Sequence, residues 1–101
     1  MIKVVEGLKV KPVADIETVL QKIRGNAVQY PGFVSDEYLI GSTDISKVVL
    51  LSVWHNIDMW RIWENSTLRG KLHEELQEFL EEEARTTIYT IRPVKLPTGN
   101  R

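Results

Sequence analysis

The sequence contains no cysteine among its 101 residues, which excludes disulfide bonds, thiolate nucleophiles and cysteine-ligated metals. It also lacks long apolar runs: no stretch approaches the roughly 18 apolar residues of a membrane span. The first residues alternate in polarity and do not form the continuous apolar core of a signal peptide. A net charge of −1 gives no overall field that would attract nucleic acid. We therefore expect a soluble, cytoplasmic protein with no membrane or nucleic acid partner.

Sequence motifs for several reaction classes are missing as well. The serines lie outside any nucleophile-elbow sequence, and no glycine-rich phosphate loop is present, which argues against a hydrolase and against a nucleotide-binding protein. The two histidines, His55 and His73, have no carboxylate nearby at a metal-ligand spacing. We therefore predict no protein-bound metal site.

Two stretches predict strands, and the second of them is expected at the centre of a sheet. Residues 2–10 alternate with period two, and Glu6 is the charged residue that interrupts their apolar side. Gly7 predicts a bulge, or the close approach of another group, because glycine weakens a strand. Residues 48–53 are apolar at nearly every position, which is typical of a strand covered on both faces.

Two further strands are predicted, the first of them at an edge of the sheet. Residues 33–40 carry charges in mid-strand, at Asp36 and Glu37, and follow a turn with the sequence YPGF. Residues 86–91, TTIYTI, form the last strand, which Pro93 stops. Residues 94–101 show no periodicity and are interpreted as a tail.

Helical periodicity appears in three places. Residues 16–23 form an amphipathic pattern whose helix should end near Gly25 and Asn26, with Ala27 and Val28 as an optional last turn. Asn56 is a suitable N-cap for a helix over residues 57–65, and Ser66 for a second helix that follows. The buried stripe of that second helix is predicted to contain Leu68, Leu72, Leu76, Phe79 and Leu80.

The order of these elements predicts the fold. Strand, helix, strand, strand, helices, strand is the α+β arrangement of ferredoxin-like βαββαβ folds, with a four-stranded antiparallel sheet. Right-handed crossovers place all helices on one face of the sheet. Since residues 48–53 are apolar on both sides and no further element remains to cover the second face, we predict a homodimer. The domain is assigned to residues 1–93 and the tail to 94–101.

Chemistry-bearing residues concentrate between positions 48 and 73, which contain all three tryptophans and both histidines. Tryptophans at helical spacing are most simply core residues, because they bury large apolar areas whatever the function. His73 follows the apolar Leu72 and can titrate near neutral pH, so it can act as an acid, a base or an axial ligand. A purely structural histidine is the alternative.

Several short motifs together resemble a known family. The features that carry the resemblance are YPGF at 30–33, a strand that ends in Trp54, the helix pattern of Trp60, Trp63 and Ser66, and TTIYTI. Together they are similar to the antibiotic biosynthesis monooxygenases, a family of dimeric α+β barrel proteins. The resemblance covers residues 2–93. It implies a homodimer with a pocket between sheet and helices in each subunit. The site residues that it implies are His73 and Trp63 as catalytic residues, and Tyr38, Leu50, Trp54 and Trp60 as contacts for a small hydrophobic or aromatic substrate.

The family contains members with different chemistry. The ten-residue spacing from Trp63 to His73 is similar to that of haem-degrading monooxygenases, in which the histidine ligates haem iron. Their first-strand asparagine falls at Gly7 here, so the amide is missing. Other members oxidise small aromatic or quinol-like substrates with O2 and no cofactor. We predict a monooxygenase without a cofactor. One alternative is a haem-binding or haem-degrading protein with His73 as the haem ligand, and the other is a non-catalytic ligand-binding dimer.

Overall fold

The computed structural model describes residues 1–12 and 14–94. Over these residues the elements are β1 (Ile2–Lys9), α1 (Glu17–Ala27), β2 (Phe33–Ile40), β3 (Lys47–Trp54), α2 (Ile57–Glu64), α3 (Thr67–Gln77) and β4 (Arg85–Thr90). The predicted α+β class and βαββαβ order are confirmed. Apart from Val94, the predicted tail lies outside the described residues. None of the described helices is both long enough and apolar enough to cross a membrane.

The four strands form one antiparallel sheet in the order β2-β3-β1-β4. The apolar strand β3 lies between β1 and β2, as its composition predicts. The strand that carries Asp36 and Glu37 lies at an edge, where charged side chains discourage pairing with another chain. Strand β4 forms the other edge and pairs with β1.

The register of the sheet separates its two faces. Val4 pairs with Ser52 on one side and Ile88 on the other, and this row faces the helices, since Val4 is fully buried. Directly opposed residues of antiparallel strands share a face. The side of Val4 also carries Ile2, Glu6 and Leu8 from β1 and Val48, Leu50, Ser52 and Trp54 from β3. The opposite side of β3 carries Val49, Leu51 and Val53.

Aromatic side chains fill one half of the core. Trp54, Trp60 and Trp63 are each at most 2% exposed. The rings of Trp54 and Trp60 lie 5.7 Å apart at their centroids, and those of Tyr30 and Trp63 lie 4.8 Å apart, both edge to face. Aromatic pairs prefer this geometry over a face-to-face sandwich. The cluster packs α2 against the end of β3.

Side-chain caps define where α2 and α3 begin. Met59 N donates to Asn56 Oδ1 at 2.9 Å, and Arg69 N donates to Ser66 Oγ at 3.1 Å. Both N-cap predictions are therefore confirmed. Helix α1 includes the optional last turn and ends at Ala27, which is buried in the core. This burial outweighs the roughly 1 kcal/mol that a glycine costs inside a helix.

Two other expectations were wrong. Gly7 does not mark a bulge: β1 pairs with β3 residue by residue, and a Cβ at Gly7 would meet only the Arg85 carbonyl oxygen at 3.9 Å, an ordinary contact. The irregularity lies instead in β2, between Phe33 and Ser35. Leu68 is 40% exposed and does not belong to the buried stripe of α3, which consists of Leu72 and Leu76. Phe79 and Leu80, which were also assigned to this stripe, follow the end of the helix at Gln77.

Candidate active site

A cavity of about 380 Å³ lies between the helix-facing side of the sheet and the three helices. This volume falls within the range of about 300–1,000 Å³ that is usual for small-molecule sites. All of the site residues predicted from the sequence line it, namely Tyr38, Leu50, Trp54, Trp60, Trp63 and His73. Apolar side chains from α1 and β2 complete much of the wall: Leu20, Ile23, Ala27 and Phe33. The cavity therefore suits a small ligand that is largely apolar.

The tryptophans of the wall differ in their hydrogen bonding. Trp54 Nε1 donates to Ser52 Oγ at 3.0 Å. Trp60 Nε1 is buried and has no hydrogen-bond partner among the described residues. A buried donor without a partner is costly, and this N–H is enclosed by its neighbours, so a ligand in the cavity would reach it only if they moved.

His73 is half-buried in the wall, on α3. Its pKa is lowered below the ordinary value of 6.5, chiefly because burial disfavours the charged imidazolium and secondly because Arg69 places a positive charge nearby. Glu6 and Glu83 act on this pKa in the opposite direction. The imidazole is therefore neutral at pH 7 and has a lone pair that can accept a proton.

A buried ion pair lies beside this histidine. Glu6 is 8% exposed and is the one charged residue in the core of the described chain. Arg69 Nη2 donates to Glu6 Oε1 at 2.8 Å. The Arg69 guanidinium also lies 5.2 Å from the centroid of the Trp60 ring, a distance at which the ring face attracts a cation. Both charged residues line the cavity.

Polar side chains bridge α1 and β2 at the rim of the cavity. Arg24 Nε donates to Asp36 Oδ1 at 2.8 Å, and Tyr38 Oη donates to Glu17 Oε1 at 3.4 Å. Tyr38 is 43% exposed, which places it at the mouth of the cavity and not in its depth. The cavity is partly open to solvent.

The residues of the cavity do not fit the haem-degrading pattern. His73 lies in the wall, as an axial ligand would, but no asparagine is among the described residues that line the cavity. Gly7, at the position of the missing amide, pairs with Val49 on the face of the sheet that is turned away from the helices. Among residues 1–12 and 14–94, no group of three or more histidine and acidic side chains is placed to hold a metal ion.

Glu6 and Arg69 are among the cavity residues that the sequence interpretation missed. Glu6 carried a signal, since it was the single charge on the apolar side of its strand and a charge there requires a buried partner. The partner is 63 residues away in the chain, and periodicity does not relate residues at that distance.

The fold is shared with several solved structures. No profile of a known protein family matches the sequence, and no curated protein matches it. SnoaB from Streptomyces nogalater, a cofactor-independent oxygenase solved as a mutant, superposes with a TM-score of 0.84 at 19% identity, over 92% of this chain and 94% of that one. A conserved protein from Methanosarcina mazei gives a TM-score of 0.83 at 18% identity, over 90% and 92% of the two chains.

A structure described as an antibiotic biosynthesis monooxygenase gives a TM-score of 0.81 at 15% identity, over 92% of this chain and all of that one. At these identities the likeness establishes the fold, and it extends over nearly the whole chain. The resemblance read from the short motifs is thus confirmed: this chain has the fold of the antibiotic biosynthesis monooxygenases.

Proposed function

We propose that this protein is a monooxygenase that uses no cofactor and oxidises a small hydrophobic or aromatic substrate with O2 in the cavity between sheet and helices. One observation carries the proposal. The neutral imidazole of His73 stands in the wall of a cavity that is otherwise largely aromatic and aliphatic. The description of SnoaB, which has the same fold, as a cofactor-independent oxygenase supports this type of chemistry.

The electron balance of such a reaction restricts the substrate. When one atom of O2 enters the product and the other leaves as water, the substrate must supply both electron pairs, because no cofactor does so. A methylene carbon that becomes a carbonyl supplies them, with its two hydrogens leaving as water together with the second oxygen atom. The substrate is therefore an aromatic compound with a methylene, or an equivalent quinol position, that is acidic enough to lose a proton.

His73 performs the first step in this scheme. Its neutral nitrogen accepts the proton, the carbon–hydrogen bond breaks, and the electron pair remains on the substrate as a delocalised anion that reduces O2. Trp60 contributes its side chain to the cavity wall. Trp54 and Trp63 form the wall that holds the aromatic ring and excludes water.

The protein is proposed to act as a homodimer. On the sheet face turned away from the helices, Val49, Leu51 and Val53 form an apolar row along β3, and no described element covers it. The register places Glu37 at one edge of this face and Arg85 at the other. A two-fold axis parallel to the strands would place unlike charges opposite each other and bury the apolar row.

Oxygen uptake tests the proposed reaction. The protein is incubated with a panel of quinols and of polycyclic phenols and ketones that carry an acidic methylene, under ¹⁸O2, and the products are analysed by mass spectrometry. We expect protein-dependent uptake and incorporation of one labelled oxygen atom, with uptake reduced by about 10²–10⁴-fold in His73→Gln, the usual contribution of a general base. His55→Gln, which alters the exposed histidine, serves as the matched control. Binding of the panel without uptake would favour the non-catalytic ligand-binding dimer instead.

A further inference from the structure

Glu6 occupies a position where an apolar residue would be expected. Its neighbours on the same side of β1 are Val4 and Leu8, which are 0% and 5% exposed. The ion pair with Arg69 ties β1 to α3, but removing two charges from water is costly, and well-packed apolar residues of similar volume often stabilise a protein as much or more. The need to join β1 to α3 therefore does not by itself explain why Glu6 and Arg69 are charged.

The geometry of Arg69 connects the pair to the site. The guanidinium is held by Glu6 on one side and lies over the Trp60 ring on the other. His73 follows Arg69 by one helical turn, a spacing that places two side chains on the same face of a helix. The Arg69 side chain is only 13% exposed, so solvent and salt screen its charge little.

We propose that Glu6 and Arg69 are positioning residues of the site: Glu6 holds the Arg69 guanidinium against Trp60, and the two opposite charges flank His73. This inference rests on the proposed function for its consequence. When the substrate proton moves to His73, an imidazolium and a substrate anion are formed together. Glu6 then provides the counter-charge for the imidazolium and Arg69 the counter-charge for the anion, so the separated charges are stabilised in place.

The expected pKa shifts of His73 follow from the charged groups around it. Arg69, from α3 itself, lowers the His73 pKa, whereas Glu6 from β1 and Glu83 from the segment after α3 raise it. If the ion pair served only to join β1 to α3, removing either residue would loosen α3 and hydrate His73. The His73 pKa would then rise toward its ordinary value in both variants. If the two charges flank the imidazole, the two removals shift the pKa in opposite directions.

The test is an NMR titration of the two histidines in the full chain without substrate. We expect the midpoint of His73 to rise in Arg69→Met and to fall in Glu6→Gln, each beyond the error of the fit, while the His55 midpoint stays constant. Lys22→Met is the matched control, because Lys22 forms an exposed ion pair at 3.0 Å with Glu75, a residue of the helix that carries Arg69. It should leave the His73 midpoint unchanged.

A second comparison covers the case in which Arg69→Met does not fold. The double variant Glu6→Gln/Arg69→Met leaves no unpaired charge, and its His73 midpoint should be higher than that of Glu6→Gln alone. The inference would be overturned if the His73 midpoint rose in both single variants. It would also be overturned if the midpoints of Glu6→Gln and of the double variant both equalled the parent value. Because no substrate is used, a failure to find oxygen uptake would count against the proposed function and not against this arrangement of charges.

Discussion

Arg69 Nη2 lies 2.8 Å from Glu6 Oε1, and the two side chains are 13% and 11% exposed. The hydrogen bond joins β1 to α3 inside the wall of the cavity. It differs from the other four ion pairs of the described residues, each of which has at least one side chain that is 49% exposed or more. The energetics of this pair should accordingly be those of a buried pair and not of a surface contact.

Removing one partner of the pair should be far more damaging than removing both. We expect Arg69→Met to lower the free energy of unfolding by about 3–5 kcal/mol, because it leaves the Glu6 carboxylate buried without a counter-charge. In Glu6→Leu/Arg69→Met neither charge remains, and most of this loss should be recovered. Urea denaturation of the two single variants and the double variant measures the coupling. Additive losses would show that the two groups do not interact.

Replacing Trp60 by alanine should lower the free energy of unfolding by about 3–5 kcal/mol, the usual cost of deleting a large aromatic side chain from a core. Trp60 is 2% exposed and packs against Trp54. Ile62→Ala on the same helix is the control: Ile62 is 60% exposed, so its loss should change stability by at most about 0.5 kcal/mol. A Trp60→Ala variant that unfolds at the urea concentration of the parent would disprove this packing.

Stability should depend on pH through His73. Because its pKa in the folded protein is lowered from 6.5, the unfolded chain binds more protons than the folded protein at pH values just below 6.5. The free energy of unfolding therefore falls as the pH drops through this value, and the loss is complete once the pH is below the folded pKa. Urea midpoints measured between neutral and mildly acidic pH should show this slope. His73→Gln should flatten it, whereas His55→Gln should retain it.

Light scattering should give a particle of twice the 11.7 kDa chain mass. Leu51→Lys, which places a charge in the middle of the apolar row on β3, should produce monomers because the charge would be buried at the interface. Ile45→Lys is the control, since Ile45 is 80% exposed in the loop before β3. A parent protein that is monomeric at micromolar concentration would rule out the barrel dimer.

Haemin should not bind in a His73-dependent way if the chemistry is free of a cofactor. Titration of the protein with haemin is followed through the Soret band, which imidazole coordination shifts. We expect no stoichiometric shift. A shift that saturates at one haem per chain and disappears in His73→Ala would establish the haem-binding alternative and contradict the proposed mechanism.

Local patterns in the sequence determined the elements and their order. Period-two alternation in residues 2–10 and the capping residues Asn56 and Ser66 depend on residues close in the chain, which behave alike in any tertiary context. The mid-strand charge at Asp36 and the apolar run of residues 48–53 report instead how exposed each strand is. Together these signals are why the helix starts, the edge strand and the central strand were predicted correctly. The same patterns placed the three tryptophans and His73 near one another, because α2 and α3 follow β3 directly.

Tertiary structure alone decided what surrounds His73. A bulge was predicted at Gly7 because the strand propensity of glycine is low. Propensity does not show how the neighbouring strands pair, and β3 and β4 pair with β1 without interruption at this point. The charge on Glu6 signalled a missing partner, but a strand pattern does not say which of many cations meets it. Arg69 reaches Glu6 because the crossover from β3 to β4, which contains α2 and α3, passes over β1, the strand between those two in the sheet. The charge environment of the site follows from that packing.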